Sequence, residues 1–149
     1  MLRKVAEKVT DITAEVCKLS EDMAETMRAA RGIGLAANQI GVALRIISLE
    51  LEKEALPLIL LNPEIVEAAS EETAEEGCLS LPDFYEKVKR ARQVLVKAIT
   101  LEGKEFSLEC EGLLARAFQH EIDHLNGILL VDHLSPVKKQ LFRKEYMKE

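Results

Sequence analysis

His120-Glu121-Ile122-Asp123-His124 is the stretch on which the reading of this 149-residue chain turns. On a helix, residues four apart lie on one face, so His120 and His124 can offer two ring nitrogens to one metal ion. Glu121 follows the first ligand and stands within reach of the proton of a water that such an ion would activate. This is the H-E-x-x-H arrangement of metal-dependent hydrolases. The chain has three histidines, and two of them stand here. The competing reading is a solvated helix face that happens to carry His and Glu. The flanking residues argue against it. Leu113, Leu114, Ala117, Phe118, Ile122 and Leu125 give a buried helix over Leu113–Asn126, and Gly127 is a suitable residue to follow its last turn.

Two histidines do not close a catalytic metal site, which needs three protein ligands and one open position. A carboxylate, the remaining His133 or a cysteine could supply the third. Cys78 is the strongest candidate, because Gly77 and Pro82 bracket it in Glu76-Gly77-Cys78-Leu79-Ser80-Leu81-Pro82. A cysteine in an apolar setting is more often inert core, so the assignment stays open on the residues alone. Cys17 and Cys110 read as packing residues. A second unusual segment is Gly32-Ile33-Gly34-Leu35-Ala36-Ala37-Asn38-Gln39-Ile40-Gly41. Its glycines allow a close approach of backbone to a ligand, and Gln39 would project an amide able to donate to an oxyanion. Taken alone, a Gly-rich turn between a helix and a strand explains it better.

Working outward, Thr10 and Asp11 are expected N-caps of a helix running to Ala30, with an apolar stripe of Ile12, Val16, Leu19, Met23 and Met27. Strands are expected at Val42–Leu49, at Pro57–Leu61, stopped by Asn62-Pro63, and at Ile65–Ala69. Glu71, Glu72, Glu75 and Glu76 read as an acidic loop. Glu86–Ile99 and Glu105–Cys110 read as a hairpin turning at Gly103. Leu129 and Val131 suggest a short extended segment. Ser135-Pro136 opens a last helix bearing Lys138, Lys139, Arg143, Lys144 and Lys148. Without regular βαβ alternation, this order gives an α+β fold.

One domain accommodates the whole chain, residues 1–149. Apolar residues make up 48% and aromatics only 4%, so the core must be mainly Leu, Ile, Val and Ala. The net charge of −6 leaves no general field for nucleic acid or anionic lipid. The three cysteines form no disulfide framework and suit a reducing compartment. No apolar run approaches a membrane span, and the first residues carry no signal-peptide core. A cytoplasmic protein is expected, with no membrane and no direct DNA partner.

Taken together, the three segments resemble the peptide deformylase family. Its G-x-G-φ-A-A-x-Q, E-G-C-L-S and H-E-x-D-H motifs, where φ is apolar, stand in order at Gly32–Gln39, Glu76–Ser80 and His120–His124. Leu61-Asn62-Pro63, Gly112-Leu113-Leu114-Ala115, Leu125-Asn126-Gly127 and Leu134-Ser135-Pro136 match as well. The resemblance implies a central HExxH helix surrounded by antiparallel sheets, with an N-terminal and a C-terminal helix. It implies Cys78, His120 and His124 as ligands of one divalent metal, Fe(II) in the cell, with Zn, Ni or Co able to occupy the site. Glu121 would be general base and then general acid. Gln39 and the backbone N–H of Leu79 would stabilise the oxyanion. Ile33, Gly34, Gly77, Leu113, Ala117 and His120 would bind substrate, with Arg116 at the mouth of the methionine pocket. The implied substrate is the N-formylmethionyl end of nascent polypeptides, with formate released. The basic C-terminal helix permits a transient ribosome contact, although a solvated face is its simpler reading.

Two other functions remain open on residues alone. An endopeptidase would take its third ligand downstream, from an acidic residue or a histidine. A silent metal-binding or ribosome-associated protein would have lost Glu121 or Gln39, and both are present.

Overall fold

The structure, a computed structural model, describes residues 5–29, 34–50, 58–78, 81–128 and 132, with the backbone alone at 78 and 81–86. Helix α1 spans Ala14–Ala29. Thr13, not Thr10 or Asp11, caps it: its Oγ1 accepts the Val16 N–H at 3.2 Å. That is the reach of an N-cap side chain to the third helical residue. Val16, Met23 and Met27 form the buried stripe. Ile12 precedes the helix and is exposed.

Five antiparallel strands follow in a meander: β1 Gly34–Ala36, β2 Ile46–Leu49, β3 Leu58–Cys78, β4 Leu81–Ile99 and β5 Glu105–Glu111. Strand β2 starts later than the expected Val42. Residues 43–45 bond to the N-terminal segment instead, through Glu7 N–H to Ala43 O and Arg45 N–H to Glu7 O, both at 2.9 Å.

The long β3 replaces two expected strands and an acidic loop. Asn62-Pro63 does not stop it; the chain bulges there, with Asn62 at φ 51, and pairing resumes at Glu64. Asn tolerates this left-handed conformation better than most residues. Its side chain also clamps the Val9 backbone, accepting from the N–H at 2.8 Å and donating to the carbonyl at 2.9 Å. The acidic run is held in the strand in part by cations that β4 sets opposite three of its glutamates, Arg90 facing Glu72 among them. Glu64 faces Lys97 and Glu75 faces Lys87 in register, and cross-strand pairs of opposite charge favour pairing. The hairpin onto β5 turns at Gly103, φ 80.

The sheet separates two cores. Neighbouring residues alternate between them: Leu35, Ile46 and Leu61 join Val16, Met23 and Met27 under α1. Ala36, Ile47 and Leu60 join Val94, Val96, Ala115, Phe118 and Leu125 of the other core. A strand's period of two puts these on opposite faces, so α1 and the second helix lie on opposite sides of the sheet. That helix, α2, spans Gly112–Leu125 and carries the His pair. It is not buried all round as expected, since Leu113 is 60% exposed. Its last turn is anchored well. Leu125 O accepts from Ala6 N–H at 2.8 Å and from Arg45 Nη1 at 3.3 Å. Gly127, at φ 74, donates to His124 O. The arginine at the carbonyl end also suits the helix dipole. Leu129, Val131, His133 and the expected helix from Ser135 lie outside the described residues.

Candidate metal centre

Alpha-helical spacing puts His120, Glu121 and His124 together. One ligand atom from each lies within 4.8 Å of the other two, and all three residues are buried. The imidazole centroids are 5.0 Å apart. Burial, with His120 and Arg90 adding to it, pushes His124 down to about 3, so at neutral pH its ring is uncharged and keeps a lone pair. Neutral imidazole is the form that binds metal.

His120 is oriented from the hairpin. Its Nδ1 lies 3.0 Å from Glu76 Oε1. Burial alone would raise the Glu76 carboxyl, but hydrogen bonds from His120 and Arg90 outweigh it and bring the carboxyl down to about 2. An ionised carboxylate only accepts, so Nδ1 carries a proton, and in the neutral ring the lone pair is then on Nε2. A carboxylate behind a histidine is a common support for a metal ligand.

Glu76 is held in turn by two guanidinium groups. Arg90 is side-on, with Nη2 at 2.9 Å from Oε1 and Nε at 3.1 Å from Oε2. Arg116 Nη1 reaches Oε2 at 2.5 Å. Arg90 also pairs with Asp123, so the residue before His124 is tied to the hairpin. Arg116 is therefore not at a pocket mouth. It is buried, and it also donates to Val88 O at 2.8 Å and Glu72 O at 2.6 Å.

The Gly-rich segment presses on the other side. A Cβ on Gly34 would stand 2.5 Å from Glu121 Oε2, so β1 passes too close for any side chain there. Glu121 Oε1 is buried with no hydrogen-bond partner among the described residues. Burial pushes its carboxyl up to about 7 in the metal-free protein; His120 and Arg90 oppose the rise, while Glu76 and Asp123 add to it. Gln39 lies in a short 3-10 turn, Ala37–Ile40. Its Oε1 accepts the Ala36 N–H at 2.8 Å, which fixes which end of the amide is oxygen. Asn38 donates to His124 O and ties this turn to α2.

Thus Gly34, His120, Glu121 and His124 come together, and Ala117 is buried on the same helix. Gly77 pairs with Tyr85, and Cys78 ends β3 opposite Leu81, two residues beyond the Glu76 that touches His120. The Cys78 side chain, Ile33 and Leu79 lie outside the described residues. The residues alone gave no site role to Glu76, Asp123 or Asn38, and Arg90 was expected only as a structural basic residue. Glu76 and Asp123 were at least visible as fixed members of their motifs.

The donor set fits a divalent transition metal. Two lone-pair-bearing imidazoles converge beside a buried carboxylate oxygen that nothing described here satisfies. Fold and site define a metallohydrolase of the H-E-x-x-H kind. The sequence model of the family "Polypeptide deformylase" matches residues 1–140. A peptide deformylase of Thermodesulfovibrio yellowstonii is 49% identical over 98% of this chain and 90% of its own length. One from Afipia carboxidovorans is also 49% identical, over 99% and 88%. A crystal structure of a peptide deformylase from Legionella pneumophila superposes with a TM-score of 0.91 at 47% identity, covering 97% of this chain and 86% of that one. The chain belongs to the polypeptide deformylase family, whose members are metalloenzymes that hydrolyse the formyl amide of N-terminal formylmethionine. The endopeptidase and silent-binder readings fall away.

Proposed function

We propose that Cys78, His120 and His124 hold the metal and that Glu121 moves the proton in this chain's reaction. That reaction is removal of the formyl group from the N-terminal N-formylmethionine of nascent polypeptides, with release of formate. When bound, the ion supplies the Lewis acidity that makes water a nucleophile near neutral pH. Glu121 takes the proton of the attacking water and delivers it to the departing amine. A carboxyl pushed up toward 7 is suited to both roles. Gln39, its oxygen already occupied by Ala36, offers its NH₂ end to the oxyanion, and the Leu79 N–H offers a second donor. One such donor is worth about 10²–10³ in rate. Ile33, Gly34, Gly77, Leu113, Ala117 and His120 line the methionine pocket.

The thiolate of Cys78 suits Fe(II), the metal we assign in the cell, and also Zn, Ni or Co. A thiolate-bound iron form is open to oxidation. The finer architecture follows the same reading. Residues 1–149 form one domain, and the HExxH helix is the centre around which the sheets and two terminal helices are arranged. No described helix is long and apolar enough to cross a membrane. We place the enzyme in the cytoplasm, without membrane or DNA partners, touching the ribosome transiently through the basic helix expected from the sequence after Ser135. Co-sedimentation with ribosomes, with and without the residues after Ser135, tests that contact.

The convergence of His120, Glu121 and His124 carries the reading. Its test is anaerobic formate release from formyl-Met-Ala-Ser with bound metal measured in parallel. Cys78→Ser is expected to lose most activity together with metal affinity. A Cys78→Ser enzyme with unchanged metal content and turnover would remove the thiolate from the ligand set.

A further inference from the structure

Arg116 sits one helical turn before His120, so both side chains leave α2 on the same face. Both end on one carboxylate: Arg116 Nη1 on Glu76 Oε2, and His120 Nδ1 on Glu76 Oε1. The same guanidinium is also held by two strands of the hairpin, Nη1 donating to Val88 O on β4 and Nη2 to Glu72 O on β3. One side chain therefore spans helix, β3 and β4 at the point where Glu76 meets the histidine.

We propose that Arg116 is a positioning residue for the metal centre, holding the Glu76 carboxylate in the orientation that presents Oε1 to His120 and so selects the His120 tautomer with its lone pair on Nε2. The argument is geometric. Arg90, itself anchored on Asp123, binds Glu76 side-on and by that geometry alone leaves the carboxylate able to tilt out of the guanidinium plane. A second guanidinium on Oε2, fixed by two backbone carbonyls, removes that freedom. What remains is a carboxylate whose one oxygen is committed to two arginines and whose other faces the ring. Ligand histidines depend on such a partner: loss of a supporting hydrogen bond typically weakens metal binding about 10- to 100-fold. Arginine suits the place because its planar fork can serve an acid and two carbonyls at once, whereas the lysine ammonium is a single point of charge. A packing role alone would need only the aliphatic stem.

The inference rests on His120 being a metal ligand, and the test separates the two ideas. Arg116→Lys and Arg116→Met are made in the full chain. Near-ultraviolet circular dichroism and thermal melting report folding. Long-range ¹H–¹⁵N spectra of the metal-free protein report the His120 tautomer. Titration with Co(II) against a chelator reports affinity. The wild type is expected to show a single Nδ1–H tautomer. The lysine variant should weaken Co(II) binding several-fold, and the methionine variant about tenfold or more, with Nε2–H signal appearing in the same order. Wild-type tautomer and Co(II) affinity in either folded variant overturns the proposal. If only the lysine variant folds, it decides alone; if neither folds, Arg116 is structural and the proposal fails. His120→Ala is the separate control: should it bind Co(II) as the wild type does, His120 is not a ligand, whatever Arg116 does.

Discussion

Beneath α1 the sheet meets Val16, Met23, Met27, Leu35, Ile46 and Leu61, all of them apolar. On the other face, beside the apolar core that α2 shares with the sheet through Val94, Val96, Phe118 and Leu125, the β3–β4 hairpin meets α2 in a buried polar cluster of Glu76, Arg90, Arg116, His120, Glu121 and His124. Both regions exclude water, and they use that exclusion differently. In the first, each side chain contributes in proportion to the apolar area removed from solvent, and neighbours are interchangeable if volume is kept. In the second, low dielectric strengthens each satisfied contact and makes each unsatisfied charge costly. The contrast assigns stability to the α1 side and chemistry to the α2 side. It also implies that removing a charge from the second region can raise stability while it destroys function.

Glu121→Gln tests this most severely. Without its proton carrier the metal-loaded enzyme is expected to lose about 10³-fold in kcat/KM for a formyl-methionyl peptide, while metal content persists. Stability of the metal-free protein should move the other way. The folded carboxyl is raised from 4.5 to about 7, so between these values the unfolded chain has released a proton that the folded chain retains. Wild-type stability therefore falls as pH rises through that window, and the Gln variant should lack this slope. Urea midpoints across the window read it directly. An active variant, or one with the wild-type slope, breaks the division of labour.

Met23→Ala probes the apolar side. Met23 is fully buried, and truncation should cost about 2–5 kcal/mol in urea unfolding. Activity per folded molecule is expected to stay at the wild-type level. A fall in kcat at full folding would show that the α1 core also sets the site.

Legibility from sequence followed the same divide. Helix α2 and its histidine pair could be read because period and motif are local, and α1 because its stripe is. The β3 strand could not. Its glutamates at 71, 72, 75 and 76 look like loop until β4 supplies Arg90 opposite Glu72 and Lys87 opposite Glu75, and register is not a local property. Asn62-Pro63 misled for a related reason, since the Val9 backbone clamped by Asn62 lies 53 residues away. In the site, the three residues that converge, His120, Glu121 and His124, were readable as motif. The Glu76–His120 contact spans 44 residues, and Arg116 reaches inward where a pocket mouth was expected. Charges that are buried only by long-range pairing leave no periodic trace.

Gly34→Ala sharpens the comparison at the border between the regions, because β1 contributes Leu35 to the α1 core and Gly34 to Glu121. The new methyl would begin 2.5 Å from Glu121 Oε2, closer than real contacts allow, so the carboxylate must shift. A displacement of about 1 Å at a catalytic group costs about 10²-fold. We expect kcat to fall by about that factor, with metal binding by His120 and His124 retained and the melting temperature nearly unchanged. Loss of folding instead would mean that β1 cannot yield and that the two regions are mechanically one.

The smallest expected effect isolates burial from charge. Lys18 and Asp22 form an ion pair one turn apart on α1, at 3.2 Å, with both side chains largely in solvent. The hydrogen bond to Asp22, followed by its charge, raises the Lys18 ammonium above 10.5. A raised folded value means that the pair's contribution is present below 10.5 and disappears as pH rises through the folded value. Water and salt screen such a pair, and ordering two long side chains opposes it. Lys18→Met is therefore expected to leave the urea midpoint at neutral pH and about 0.15 M salt unchanged within error. The Arg90–Glu76 pair is bonded at a similar distance, 2.9 Å, but is shut off from solvent, so Arg90→Met should lower the midpoint by a clearly resolved amount. If the Lys18 variant shows a drop that added salt abolishes, exposed charge is holding α1 in place, and burial is not what separates the two regions.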